Sequence, residues 1–304
     1  MYGAEVPSMY AVEAYDMGKK FENVWAVKSA TFTIPRKSVG VIAGPNGAGK
    51  TTTIKMLITA LKPSKGNGKI IGFDIVEEFR EIRKHVAYQP QDYSMFSDLT
   101  PEQFIISTLM MRGRGYVEAR IEAYRWIEEL GLIEIKNRKG WSLSGGERRR
   151  AVVAATLATN ADVVFLDEPT SGVDVEAKYA VLKVLRSCIR NGSTIVLTTH
   201  NLVEAGLVAD TIIVIHNGYT LFYGSPTELM EKIPYRYKMT MSKPSGNLSG
   251  IFHIDLGDKV IIWLKDRSKA FAIAETLGVN TFSIEEVNLE DAYLYLIKSL
   301  GEKL

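Results

Sequence analysis

The chain has 304 residues, 46% hydrophobic and 24% charged, with a formal net charge of +2. These values are ordinary for a globular protein with one large domain and a small appendage, or with two domains, and no acidic or basic block selects a partner. A single cysteine, Cys188, excludes an intramolecular disulfide and a cysteine-built zinc site, and the four scattered histidines include no pair at metal-ligand spacing.

Met1 to Tyr15 carries Glu5 and Glu13 and no long apolar run, unlike a signal peptide. No stretch approaches the roughly 20 consecutive apolar residues of a membrane helix, so a membrane role is expected to come through another chain. Low cysteine usage fits a reducing cytosol.

Val39 to Ala43 is a short apolar run that leads into Gly44-Pro45-Asn46-Gly47-Ala48-Gly49-Lys50-Thr51-Thr52. This segment fits the pattern G-x-x-x-x-G-K-[ST]. Glycines let the backbone curl so that its N–H groups face phosphate oxygens, and the following helix adds its positive end. Lys50 brings a full charge to the β and γ phosphates of a nucleotide, and the Thr51 hydroxyl is placed to ligate Mg²⁺.

Thr100 to Lys139 reads as helical, with Ile121, Tyr124, Ile127 and Leu130 on one face and Gly131 as a C-cap. Another helix is expected from Ser144, where Ser144 and Glu147 fit a capping box. The run Arg148-Arg149-Arg150 reads as a solvated helix face.

Two further apolar runs end in polar residues. Val163 to Leu166 is followed by Asp167-Glu168, and Thr194 to Leu197 by Thr198-Thr199-His200. Continuous apolar runs suggest parallel strands covered on both faces, and ligands of such sheets sit at the carboxyl ends of strands. The three ends, at Gly44, Asp167 and His200, are therefore candidates for one site. Asp167 would lie beside the Mg²⁺ shell, and Glu168 would orient or deprotonate an attacking water.

After Pro234 the pattern changes. Tyr235 to Met241 and Val260 to Leu264 read as strands, Lys243 to Gly250 as a loop, and Lys269 to Leu277 and Leu289 to Leu300 as helices. Residues 235–304 are expected to form a small α+β accessory domain after a nucleotide-binding region spanning 1–234.

Leu143-Ser144-Gly145-Gly146-Glu147 resembles the LSGGQ signature of the ABC ATPase family, with Glu in place of the final Gln. Ser144, Gly145 and Gly146 would make a second phosphate-binding helix end, which in the family reaches the γ-phosphate held by an opposite subunit. Tyr88-Gln89-Pro90-Gln91 resembles the Q-loop, so Gln91 would contact Mg²⁺ or the attacking water. Pro169-Thr170-Ser171-Gly172-Val173-Asp174 resembles the D-loop, departing from the common Ser-Ala-Leu-Asp except at Asp174. His200 is similar to the switch histidine that senses the γ-phosphate. Phe21 stands where the family stacks an aromatic on adenine, with Tyr15 as the alternative.

The resemblance covers roughly residues 10–230 and includes Asp210 to Gly224 as a strand pair. It implies a P-loop ABC ATPase core of α/β class: a mostly parallel sheet, an antiparallel N-terminal β subdomain and a helical subdomain over about 92–160. It also implies ATP and Mg²⁺, a second ATP-binding subunit (identical or a paralogue) and a separate transmembrane permease. The expected location is peripheral, on the cytoplasmic face of the cell membrane. Val287 to Leu294 is similar to the tail of multidrug, polysaccharide and haem exporter cassettes of the ABC-2 group, which favours export. An amphipathic terminal helix explains those residues equally well. Tyr93, Met95, Phe96 and Leu99 are candidates for the permease-coupling surface, or for packing inside the helical subdomain. The competing class is a soluble ABC ATPase acting on ribosomes or DNA. No second cassette, heptad insertion or cysteine cluster accompanies this one, so no nucleic acid is expected.

Overall fold

The computed structural model describes residues 8–91, 97–244, 246, 248 and 251–300. The chain divides into two compact units, Met1–Ser225 and Pro226–Leu304.

The first unit opens with a long hairpin, β1 (Tyr10–Phe21) and β2 (Val24–Pro35). Next come β3 (Val39–Ala43), α1 (Lys50–Leu57), β4 (Lys65–Ile70), β5 (Phe73–Asp74), α2 (Phe79–His85) and β6 (Val86–Gln89). A helical stretch follows, with α3 (Pro101–Met111), α4 (Tyr116–Glu129) and α5 (Gly145–Leu157). The unit closes with β7 (Val163–Asp167), α6 (Val175–Arg190), β8 (Thr194–Thr199), α7 (Leu202–Val208), β9 (Thr211–His216) and β10 (Tyr219–Gly224).

Ten strands share one sheet in the order β5-β4-β1-β2-β10-β9-β3-β8-β7-β6. The β1, β2, β4 and β5 pairs are antiparallel. The pairs β3–β9, β3–β8, β7–β8 and β6–β7 are parallel. Strands β3, β7 and β8 are buried along their whole length, which is why their sequences run apolar without alternation.

Helix α3 starts at a Thr100–Gln103 capping box with Pro101 in its first turn. Helix α4 corrects the expected face. Ala119, Ala123, Trp126 and Ile127 are buried, whereas Ile121 is 68% and Tyr124 47% exposed. The helix carries apolar residues on two faces, so a 3.6-residue period does not choose between them. The small side chains of Ala119 and Ala123 let the buried face approach its neighbours closely, and Trp126 supplies the large contact.

The arginine run on α5 is also corrected. All three arginines are half-buried, and each donates to a different backbone segment. Arg148 reaches the carbonyl of Gly140 at 3.5 Å, Arg149 those of Glu168 and Gln91, and Arg150 those of Leu130 and Gly131. Consecutive helical residues point about 100° apart, so three in a row do not share one face.

The second unit holds α8 (Pro226–Met230), β11 (Tyr237–Ser242), β12 (His253–Asp255), β13 (Lys259–Leu264), α9 (Lys269–Thr276), β14 (Phe282–Glu286) and α10 (Leu289–Ser299). Its antiparallel sheet has the order β12-β13-β11-β14. On one face Met239, Met241, Val260 and Ile262 pack with Ala270 and Ala274 of α9. On the other, Asp291 of α10 accepts from the indole of Trp263 at 3.0 Å and lies 3.3 Å from the Lys238 ammonium. Asn288 and Asp291 also form the capping box of α10, which gives the Val287–Leu294 segment a structural reason. Among the described residues no helix is long and apolar enough to cross a membrane.

Candidate functional site

Strand register decides which polar ends meet. Ala43 of β3 pairs with Thr199 of β8, and Asp167 of β7 pairs with Thr198 of β8. The three apolar runs therefore finish side by side at one level. Gly44, Glu168 and His200 each follow directly.

The loop after β3 turns into α1 through Gly49, which has φ +107 and lies so close to β2 that a Cβ there would sit 2.6 Å from the Ala26 carbonyl oxygen. Only glycine meets both conditions. The first amides of α1 have no partner within the helix and form its positive end. A cavity of about 420 Å³ opens over this loop, lined by Asn46, Gly47, Gly49, Lys50, Thr51 and Thr52 together with Ala26, Gln91 and Glu168. Ala48 is buried behind it.

Lys50 is 6% exposed and donates to the carbonyls of Gly44 at 2.8 Å and Pro45 at 3.1 Å. Its ammonium lies 3.6 Å from the Glu168 carboxylate. Burial lowers the Lys50 pKa, and the charges of Glu168 and Asp167 oppose that shift. The site thus holds a buried cation beside two carboxylates.

Asp167 is fully buried. It accepts from the Thr198 hydroxyl at 2.5 Å, and the Tyr88 hydroxyl lies 3.5 Å from its other oxygen. Burial, and after it the nearby Asp167 carboxylate, raises the Tyr88 phenol pKa. Glu168 has φ +50, a left-handed conformation that side chains other than glycine seldom adopt. Its amide donates to Thr198 Oγ1 at 2.9 Å, and its carboxylate stands 3.3 Å from His200 Nδ1. His200 keeps 54% of its side chain exposed.

Other expected residues lie elsewhere. Ser144 caps α5 in a reciprocal box with Glu147, and Ser144 and Gly145 face outward. Gly146 touches the D-loop-like turn: a Cβ there would sit 3.2 Å from the Gly172 carbonyl oxygen. Asp174 caps α6 by accepting from the Ala177 amide at 2.9 Å. None of Ser144, Gly145, Gly146 or Asp174 lines the cavity over the glycine-rich loop. Phe21 is 45% exposed at the β1–β2 turn, with the Lys19 ammonium 5.3 Å from its ring centre. Tyr15 lies further down β1, opposite Asn67, with its hydroxyl on Glu13. Tyr93, Met95 and Phe96 fall outside the described residues.

Sequence reasoning overlooked Thr198 and Arg149 as supports of this site. A polar residue closing an apolar strand was the available signal for Thr198. Nothing local marked Arg149 among three arginines.

A family model described as "ABC transporter" matches residues 27–171. The chain is 34% identical over 223 residues to the daunorubicin/doxorubicin resistance ATP-binding protein DrrA of Streptomyces peucetius, covering 73% of this chain and 68% of DrrA. It is 33% identical over 224 residues to the Nod factor export ATP-binding protein I of Burkholderia lata, covering 72% of each. The chain belongs to the ABC transporter ATP-binding family. It is an ATP-binding, ATP-hydrolysing subunit of an ABC transporter.

The first unit has the cassette fold. A dimeric ATP-binding cassette bound to ADP and Pi matches with a TM-score of 0.64 and 24% identity, over 70% of this chain and 98% of that one. Other relatives of this ABC subunit are longer, and the chain spans 38% of one of them.

Proposed function

We propose that Lys50, Thr51, Gln91, Asp167, Glu168 and His200 form half of a composite MgATP site, which Ser144 to Gly146 of a second ATP-binding subunit completes. In this reading the resulting dimer powers export through a separate membrane permease, from the cytoplasmic face of the membrane. The observation that carries the proposal is the convergence of Lys50, at the start of α1, with Glu168 and His200, which follow the adjacent strands β7 and β8, beside a glycine-rich cavity.

Backbone amides between Asn46 and Thr52 and the Lys50 ammonium hold the β and γ phosphates, with Gly44 shaping the loop and Phe21 as the adenine stacker. The residues fit Mg²⁺ in their chemistry, since Thr51, Gln91 and Asp167 all offer oxygen donors to a hard cation. Mg²⁺ would supply charge neutralisation at the phosphate oxygens. Glu168 orients and deprotonates the attacking water, while His200 senses the γ-phosphate. Catalysis is then positioning and charge stabilisation, with little covalent work for the protein. Loss of the γ-phosphate removes the link between Lys50 of one subunit and the signature end of the other, and the dimer reopens.

Export is supported by the printed roles of the two relatives, drug resistance and Nod factor export. Asp174 fits a role at the same dimer interface because it anchors the D-loop to α6. No observation on this chain favours action on ribosomes or DNA.

The test is a pull-down of tagged Glu168→Gln protein with MgATP from detergent-solubilised native membranes. A stoichiometric polytopic membrane protein is expected, together with a second cassette. Recovery of ribosomal or DNA-bound material without a membrane protein would overturn the transport reading.

A further inference from the structure

The ladder between β6 and β7 ends at the pair Gln89–Leu166. Beyond it the strands part, one into the Q-loop-like segment and the other into Glu168. Arg149 of α5 bridges that opening. Its Nη1 donates to the carbonyl of Glu168 at 2.9 Å and its Nη2 to the carbonyl of Gln91 at 3.0 Å. Each acceptor lies two residues past the last ladder pair, so the planar guanidinium fork stands in for the next rung.

Both acceptors matter to the site. Glu168 sits in a left-handed conformation whose amide is already held by Thr198. Arg149 fixes its other end, at a carbonyl that the Ser171 amide also reaches at 3.2 Å. Gln91 lines the cavity over the glycine-rich loop. Arg149 itself stands about one turn from Ser144, Gly145 and Gly146 on the same rigid helix.

We propose that Arg149 is a positioning residue for ATP hydrolysis: it ties the signature helix to the backbone of Glu168 and of Gln91, so that a load on Ser144–Gly146 is felt at the chain's own hydrolytic centre. The inference rests on the reading of Glu168 as the water-activating residue. The Arg149 guanidinium acts through those two backbone carbonyls. It sets where the Glu168 carboxylate stands, through two backbone carbonyls that no substitution at Gln91 or Glu168 removes.

The experiment compares Arg149→Ala, Arg149→Lys and Glu168→Gln in the full chain, measuring kcat and KM for MgATP and amide hydrogen exchange. Arg149→Ala is expected to lower kcat about tenfold, the scale of a lost charge-assisted hydrogen bond, with KM changed less than about twofold. Exchange should quicken in peptides covering 86–91 and 163–172 and stay unchanged over 151–157. Methylguanidinium at sub-denaturing concentration should restore part of the rate. Arg149→Lys, whose single ammonium cannot span both carbonyls as a fork, should fall between. Wild-type kcat in Arg149→Ala beside an inactive Glu168→Gln would overturn this inference alone. Wild-type turnover in Glu168→Gln would remove the reading beneath it, and the inference with it. Joint loss of kcat and ATP binding, with faster exchange along all of α5 and no chemical rescue, would show a merely structural role and also overturn it.

Discussion

The Thr198 hydroxyl donates to the buried Asp167 carboxylate at 2.5 Å. The same oxygen accepts from the Glu168 amide at 2.9 Å. One side chain on β8 therefore fixes two consecutive acidic residues at the end of β7. Thr198→Val keeps the shape but strands a buried carboxylate oxygen and a buried N–H. The expected cost is about 1–3 kcal/mol of folding stability, with a lower kcat. Thr198→Ser should stay near wild type. Urea unfolding at constant m-value checks the first claim, and an unchanged midpoint for Thr198→Val would remove the hydroxyl from this account.

The parts of the fold that were legible are those where one local pattern has one physical solution. The glycine-rich loop, the buried strands β3, β7 and β8, and the Ser144–Glu147 capping box are of this kind. Residues that act across sequence distance were hidden. Arg149 meets Gln91 and Glu168 only because β6 and β7 lie next to each other and α5 passes beside them. The same limit explains Ile121 and Tyr124, since periodicity finds an apolar stripe but not which of two stripes meets a neighbour. In the second unit, β12 is three residues long and β14 reads Phe-Ser-Ile-Glu-Glu. Neither carries enough apolar sequence to announce a strand.

Lys50 links binding to stability. Burial lowers its pKa, so in the interval between its folded value and the ordinary lysine value the unfolded chain binds more protons there than the folded one. Stability must rise with pH across that interval. Lys50→Met should abolish this part of the pH dependence. It should also abolish the upward shift of Tm that MgATP produces by mass action in the wild type. Differential scanning calorimetry over a pH series, with and without MgATP, reads both effects. A wild-type ATP shift in the variant would take Lys50 out of the phosphate cradle.

Glu204 of α7 gathers three donors on one carboxylate. Lys178 approaches to 2.6 Å, Asn201 to 2.9 Å and Thr170 to 3.0 Å. Thr170 lies two residues after Glu168, and Asn201 directly follows His200, so this knot spans the two sides of the Glu168–His200 contact. Glu204→Ala leaves Lys178 without its carboxylate in a largely buried setting. The expected loss is about 1–3 kcal/mol of stability. The kcat should fall while KM for ATP holds, because the glycine-rich loop is untouched. Equal damage to binding and turnover would argue against a local role.

Cys188 offers a probe of the first unit's opening. Its thiol sits on the buried side of α6, 5% exposed, and burial pushes its pKa up to about 12 from a starting value of 9.0. Nearby Glu129 adds to the shift, and Arg125 opposes it. Above the ordinary thiol value the unfolded chain loses this proton first. Its contribution to stability is therefore complete below about pH 9 and is lost as pH climbs toward 12. Near pH 8 the folded thiol is both neutral and shielded, so an alkylating reagent must wait for the unit to open. Labelling should be slow in the native protein, fast in denaturant, and slower still with MgATP, which favours the closed form. Rapid native labelling insensitive to MgATP would show that α6 detaches without the rest of the unit.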